Sequence, residues 1–241
     1  MKKTILKILK IVLLLFSILM CIAVIICSVF GLKGYKMYRN AVEKKPMAEM
    51  VDSIRQMDNF IKYDQLPQFY IDAVITVEDH RFKSHNGIDI IAISRALWKD
   101  ITTLSLAEGG STITQQLAKN LYFTQEKKLE RKFAEVFAAF DFEKQYSKNE
   151  IFELYVNTIY FGSGYYGIYD AAKGYFGTHP SNLTDAQCAM LAGLPNAPSA
   201  YSPDTNPDLA RQRMNQVLER MVKHRLITDE KAASLLTQAA A

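Results

Sequence analysis

Residues 127–145, KKLERKFAEVFAAFDFEKQ, decide the class of fold. Leu129, Phe133, Val136, Phe137 and Phe140 recur every three or four positions, which marks one face of an α-helix rather than the alternation of a strand. Helix punctuation continues on both sides. Behind Gly109-Gly110, Thr112 and Gln115 have capping-box spacing. Ser147-x-x-Glu150 stands ahead of IFELYVN, and Thr184-x-x-Gln187 ahead of CAMLAGL, which stops at Pro195. Asn206-Pro207 offers an N-cap and a first-position proline to DLARQRMNQVLERMVKH. Strand alternation is scarce, and no unit of about 20–50 residues repeats. The pattern predicts a mainly α domain of about 175–195 residues around one core.

The chain has 241 residues, 49% of them apolar, with 29 Lys/Arg against 25 Asp/Glu. That length suits one domain with an appendage. Three cysteines are too few for a disulfide scaffold, and Cys21 and Cys27 share one apolar run, leaving Cys188 without an evident partner. The net charge of +4 is unevenly spread. Residues 1–45 hold nine Lys/Arg and one acid, Glu43, so they carry +8 and the remainder −4. The basic excess flanks the apolar run, where it suits anionic headgroups, and the rest is no polycation. Nucleic acid is therefore not an expected partner.

Ile11–Leu32, IVLLLFSILMCIAVIICSVFGL, runs 22 residues without a charge. As a helix it spans about 33 Å, enough for a bilayer's hydrocarbon core. A cleavable signal peptide would be shorter and end in small residues, whereas here GLKGYK follows, so an uncleaved anchor is expected. Basic residues sit on both sides of the span, so counting them does not orient it. A short tail, residues 1–10, ahead of a long domain reads as a signal anchor with a cytoplasmic N-terminus and an extracytoplasmic domain. Residues 33–65 read as a polar connector with short helical pieces, and 66–241 as the folded domain.

Several segments carry chemistry. EDHRFKSHNG (78–87) follows the apolar AVITV, so Glu78 sits at the edge of something buried, where desolvation raises a carboxylate's pKa and suits it to acid–base work. The alternative is that Glu78 and Asp79 cap a helix or pair with Arg81. His80 and His85 have no third ligand at a convincing metal spacing. GGSTITQQLAKN (109–120) puts glycines and hydroxyls at a helix start, where unpaired N–H groups bind phosphate readily; a well-capped helix is the alternative. Lys127, Lys128, Arg131, Lys132 and Glu135 read either as surface ion pairs at helical spacing or as a cationic cleft wall with a second carboxylate. IDIIAISRALWKDITTLSL (88–106), with the only tryptophan, Trp98, is either a core helix or an apolar flap at the bilayer interface. Gly162-Ser-Gly164-Tyr-Tyr-Gly167 fits a dinucleotide fingerprint but lacks the flanking strand and second βα unit, so its glycines are assigned to a tight loop.

Taken in order, EDxxFxxHxG (Glu78, Asp79, Phe82, His85, Gly87), GSTITQQxxKN (Gly110 to Asn120), RKxxE (Arg131, Lys132, Glu135), KxEIxExYxN (Lys148 to Asn157) and YGIxxAAxxYFG (Tyr166 to Gly177) resemble the peptidoglycan glycosyltransferases of family 51. The resemblance covers roughly residues 65–225. It implies a lysozyme-like α fold with a hydrophobic lobe near the membrane. No S-x-x-K, S-D-N or K-T-G of a penicillin-binding transpeptidase is found, so the chain resembles the monofunctional transglycosylases. Val156 stands where Leu is usual, and Lys127 where some relatives have Arg, which removes bidentate geometry from any phosphate contact there.

The implied reaction joins the 4-hydroxyl of a lipid II GlcNAc to the anomeric carbon at the reducing end of a lipid-linked glycan. It forms a β-1,4 bond and releases undecaprenyl pyrophosphate. Glu78 matches the family's base. Lys119, Arg131 and Lys132, with Lys127 more weakly, would stabilise the leaving diphosphate. Ser111, Thr112, Gln115 and Gln116 would orient phosphate and sugar, and Asp79, Phe82 and His85 belong to the same substrate-binding motif. Glu135 matches the second essential carboxylate. It would hold Arg131 or Lys132, help the leaving group, or meet a divalent ion. No cofactor or metal site is required, with Mg or Mn an option. The expected partners are lipid II, the growing strand, membrane lipids and other cell-wall synthesis or division proteins, at the bacterial cytoplasmic membrane. A lysozyme-like hydrolase would not need the cations, and a silent scaffold would not need Glu78.

Overall fold

The computed structural model describes residues 2–103, 109–123 and 128–238. Among them the chain is mainly helical. The first three helices are α1 (Lys2–Lys44), α2 (Met47–Arg55) and α3 (Gln68–Glu78). They are followed by α4 (Ile90–Thr103), α5 (Ile113–Tyr122), α6 (Leu129–Gln145) and α7 (Lys148–Thr158). A short antiparallel hairpin, β1 (Tyr160–Gly162) and β2 (Tyr165–Tyr166), precedes α8 (Gly167–Phe176). The chain then closes with α9 (Asp185–Gly193), α10 (Pro207–Lys223) and α11 (Asp229–Gln238). Within the domain, α3 packs against α9 and α10, and α5 lies against α6 and α7. Tyr70, Val74, Leu117, Ile151, Phe152, Tyr155, Ile168, Leu191 and Leu218 form the centre of one core.

The N-terminal helix differs from its expected bounds. It does not end with the apolar run at Leu32 but continues unbroken to Lys44. Its apolar stretch is long and apolar enough to cross a membrane, with a mean hydropathy of 3.1 in its best window. Leu13, Leu15, Phe16 and Leu19 there are exposed. The following turns dock on the domain, so residues 33–65 are not a polar connector. Tyr38, Met47, Val51, Ile54 and Ile61 are all buried in the core cluster. Glycine makes the docking close: a Cβ on Gly34 would meet Phe133 Cβ at 2.5 Å and the Glu130 carbonyl at 2.7 Å. One turn later Tyr35 and Tyr38 pack against Phe137, and the Tyr38 hydroxyl donates to Asp141. Gly34 meeting Phe133 and Tyr38 meeting Asp141 means that α1 and α6 run in the same direction.

That pairing explains the helical stripe in 127–145. Ala134, Ala138, Ala139 and Phe142 form the deeply buried face of α6. The larger Phe133 and Phe137 are half-buried under α1, and Leu129 and Phe140 stay exposed. The capping boxes at Thr112/Gln115, Ser147/Glu150 and Thr184/Gln187 all form. Asn206 makes no side-chain cap bond, although Pro207 does open α10. The G-x-G-x-x-G stretch is the hairpin, with φ of +94°, +87° and +80° at Gly162, Gly164 and Gly167, values that L side chains rarely adopt. The core-helix alternative for 88–106 fails. Ile90, Ile91, Leu97 and Trp98 point outward on α4, and Ala96 is its only buried side chain among those described. Residues 104–106 lie outside the described part.

Candidate active site

Glu78 is the last residue of α3, where the chain leaves the helix beside the N-terminus of α5. Asp79 makes that junction. Its carboxylate accepts from His85 Nε2 at 2.9 Å and from the Ile113 amide at 3.0 Å, so it ties the 79–85 loop to the first turn of α5. The Thr112 hydroxyl donates to the Gly87 carbonyl at 2.6 Å and accepts from the Gln115 amide, while Gln115 returns a bond to the Thr112 amide at 3.1 Å. The Thr112, Ile113 and Gln115 amides at the α5 start are therefore engaged internally rather than presented to a phosphate. A carboxylate at a helix N-terminus also satisfies the dipole.

Three expected substrate contacts change accordingly. Phe82 is buried against Phe152 and covered by Lys148, whose ammonium lies 4.5 Å from the ring centroid. His85 is buried on Asp79. Both support the loop from inside and neither lines the cleft, whereas Asp79 reaches the cleft wall while acting as a tie. Thr112 and Gln115 contribute to the walls, and their side chains are occupied by the cap. Lys127 lies outside the described residues.

The remaining candidates converge. Ser111, Gln116 and Lys119 line two adjoining parts of a cleft, the larger of which encloses about 640 Å³ and holds Glu78. That is room for a sugar-sized ligand. Gln116 Nε2 donates to Glu78 Oε2 at 2.8 Å. At the other end Glu135 is 1% exposed, and each of its oxygens takes a cation: Arg131 on one, Lys132 on the other at 2.8 Å. Lys132 also reaches Ser111 Oγ at 2.6 Å. Lys119, half-buried between the two ends, has no hydrogen-bond partner among the described residues.

Burial pushes the Glu78 carboxyl above the usual range, opposed by the Gln116 bond and then by Arg213, Arg220 and Lys119. Burial pushes the Lys119 ammonium down; Glu135 opposes this, and Arg131 and Lys132 add to it. Each shift moves its group toward the neutral form, as loss of water demands. No group of three His, Cys, Asp or Glu among the described residues is placed to hold a metal ion. With both Glu135 oxygens occupied by side-chain cations, the donor set there does not fit a divalent ion.

Sequence reasoning missed the wall built by α10. Arg213 and Arg220 line the Glu78 end, Arg213 anchored on the Gly193 carbonyl at 3.2 Å and Arg220 on the Val77 carbonyl at 3.0 Å. A signal existed: Arg213 interrupts the buried stripe Ala210, Met214, Val217, Met221. A cation at a buried position of an otherwise apolar face calls for a partner.

Comparison with known proteins adds relatives. A family model described as Transglycosylase matches residues 43–222. Penicillin-binding protein 1A of Aquifex aeolicus is 46% identical over 71% of this chain, which spans 24% of that protein's length. A Cupriavidus necator protein provisionally named a transglycosylase is 44% identical over 74% of this chain and 77% of its own. A crystal structure of penicillin-binding protein 1A from Haemophilus influenzae aligns over 73% of this chain and 17% of that one, at 26% identity and a TM-score of 0.44.

Proposed function

The chain belongs to the transglycosylase family, and we propose that it is a peptidoglycan glycosyltransferase that polymerises lipid II at the membrane surface. The observation that carries this reading is Lys119. Its half-buried ammonium, without a hydrogen-bond partner among the described residues, stands between a desolvated carboxylate and a fixed pair of cations. That order suits a displacement in which a hydroxyl is deprotonated at one end and a diphosphate departs at the other.

Glu78 accepts the proton of the GlcNAc 4-hydroxyl as that oxygen attacks the anomeric carbon of the glycan donor. The new C1–O4 bond forms as the C1–O bond to diphosphate breaks, with inversion and without a covalent glycosyl-enzyme. Negative charge grows on the departing diphosphate, where Lys119, Arg131 and Lys132 stabilise it. Ser111 accepts from Lys132 and holds its ammonium toward the cleft. Glu135 acts by aiming Arg131 and Lys132 and by neutralising them when the site is empty.

The parallel run of α1 and α6 favours a lipid-linked substrate. Because Gly34 lies against Phe133, Arg131 and Lys132 sit at the membrane-proximal end of α6, near the level where the apolar run stops. A diphosphate at headgroup height would meet them there. We place the domain on the extracytoplasmic side of the cytoplasmic membrane, with residues 1–10 in the cytoplasm. Strand-elongation or division proteins are expected partners.

The test is incubation of the detergent-solubilised protein with labelled lipid II, beside Glu78→Gln. Muramidase-sensitive polymer from the wild type alone is the expected result. No polymer from folded wild type, or equal polymer from both, rejects the assignment.

A further inference from the structure

Tyr155 of α7 is fully buried beneath the cleft, and its hydroxyl donates to Gln116 Oε1 at 3.3 Å. The other end of the same amide donates to Glu78 Oε2. An amide has one accepting end and one donating end, so the two contacts depend on each other. Turned over, Gln116 would present its carbonyl to the Glu78 carboxylate, and the Tyr155 proton would have no acceptor among the described residues. The phenol oxygen could then only accept from the amide, and a buried O–H proton left without an acceptor is costly. We infer that Tyr155 is a positioning residue for the base: by donating to Gln116 it holds the amide with its N–H toward Glu78.

The consequence rests on the reading of Glu78 as the base, but the contact itself does not. Several groups face Glu78. From α5 come Gln116 and Lys119, from α10 Arg213 and Arg220, and from α7 Tyr155. On its own helix lies Tyr70, whose buried hydroxyl has no hydrogen-bond partner among the described residues. Asp79 is bound to His85 and the Ile113 amide, and His80 faces the His224 ring at 4.9 Å. Burial keeps the Tyr155 proton in place well above the usual phenol range, so it remains a donor wherever Glu78 titrates. Of the partners that favour ionised Glu78, Gln116 is the one hydrogen-bonded to it among the described residues, and Tyr155 holds the other end of that amide. Losing the Gln116 bond disfavours the carboxylate and raises its proton affinity.

Tyr155→Phe keeps the ring and removes the donor. Following the Glu78 carboxyl carbon by NMR in 13C-glutamate-labelled full-length protein, with Glu78→Gln assigning the signal, the titration midpoint should rise by about one pH unit, a tenfold change in proton affinity. The acid limb of polymerisation should move up with it. In a Gln116→Leu background, Tyr155→Phe should add no further shift. If Tyr155→Phe does not fold, 3-fluorotyrosine at 155, a stronger donor of nearly the same shape, should lower the midpoint. An unchanged midpoint in folded Tyr155→Phe, an equal shift in both backgrounds, or a fluorotyrosine midpoint at or above wild type overturns the inference. Absence of polymer from the wild type would reject the proposed function alone, because the carboxyl titration still decides the role of Tyr155.

Discussion

Glu135 is a buried carboxylate whose two oxygens are each engaged by a cation. Its oxygens are matched to the largely buried Arg131 and the half-exposed Lys132, so removing its charge leaves a poorly solvated guanidinium and a better-hydrated ammonium close together without that carboxylate. Breaking a buried pair from one side costs about 3–5 kcal/mol. Glu135→Gln should therefore lower the melting temperature and reduce polymer formation by about a hundredfold or more, as lost charge stabilisation at a transition state does. Glu78 behaves oppositely. Its carboxyl is pushed up by burial, so the folded state binds its proton more tightly than the unfolded chain does. Its contribution to stability is full below the usual glutamate value and is lost as pH rises through the higher folded value. Glu78→Gln should abolish activity yet raise the melting temperature at neutral pH, with the gain vanishing in acid, as calorimetry across pH would show. In the wild type, activity should fall on acidification at a pH above the usual carboxylate range. Residue types and spacing were enough to nominate Glu78, Gln116, Lys119 and the Arg131/Lys132/Glu135 cluster. They could not tell a residue that meets substrate from one that holds the loop, because Asp79, Phe82 and His85 differ from the others only in which way their side chains point.

Among the elements, α5 is tied at its N-terminus by its own capping box and by Asp79, and it carries Gln116 and Lys119 just beyond. Thr112→Val removes the cap acceptor and should cost about 1 kcal/mol in denaturant titration, with a larger loss of activity because the cleft residues ride on that turn. The α1–α6 contact is the other joint. Gly34→Leu drives a side chain into the Phe133 Cβ and the Glu130 carbonyl. Overpacking of this kind costs about 1–3 kcal/mol, and the shift falls on the helix that bears Arg131 and Lys132, so polymerisation should drop even where the protein stays folded. Local signals made the helices legible, because capping boxes and three-to-four spacing act within a few residues. The extent of α1 was not legible: GLKGYKMYRN reads as polar until Gly34, Tyr35 and Tyr38 are seen against α6, a contact about a hundred residues away in sequence. The α10 wall was hidden for the same reason, since Arg213 acquires meaning only beside Glu78.

For the whole molecule, the outward-facing apolar side chains of α4 and the basic residues that flank the apolar run within residues 1–45 suit contact with lipid. Trp98 is the only tryptophan and is 71% exposed, so its fluorescence reports on α4 alone. In nanodiscs, brominated acyl chains should quench it, and Trp98→Ser should weaken activity more in bilayers than in detergent. An unquenched Trp98 would leave α4 in water. The unbroken α1 also makes the protein a mast rather than a leash. At about 1.5 Å per residue, its 43 residues form a rod about 65 Å long. The rod is gripped by the domain from Gly34, within a turn of the end of the apolar run, so there is no slack in which the catalytic cleft could rise or sink. Its altitude above the lipid is set by where the apolar run settles in the bilayer. If the apolar run spans a bilayer as proposed, a thinner or thicker hydrocarbon layer would tilt or displace the rod at a modest cost per ångström, moving Arg131 and Lys132 relative to the headgroups. On the proposed reading, turnover should therefore vary with bilayer thickness without any change to a residue of the cleft, which reconstitution in lipids of different acyl length would show.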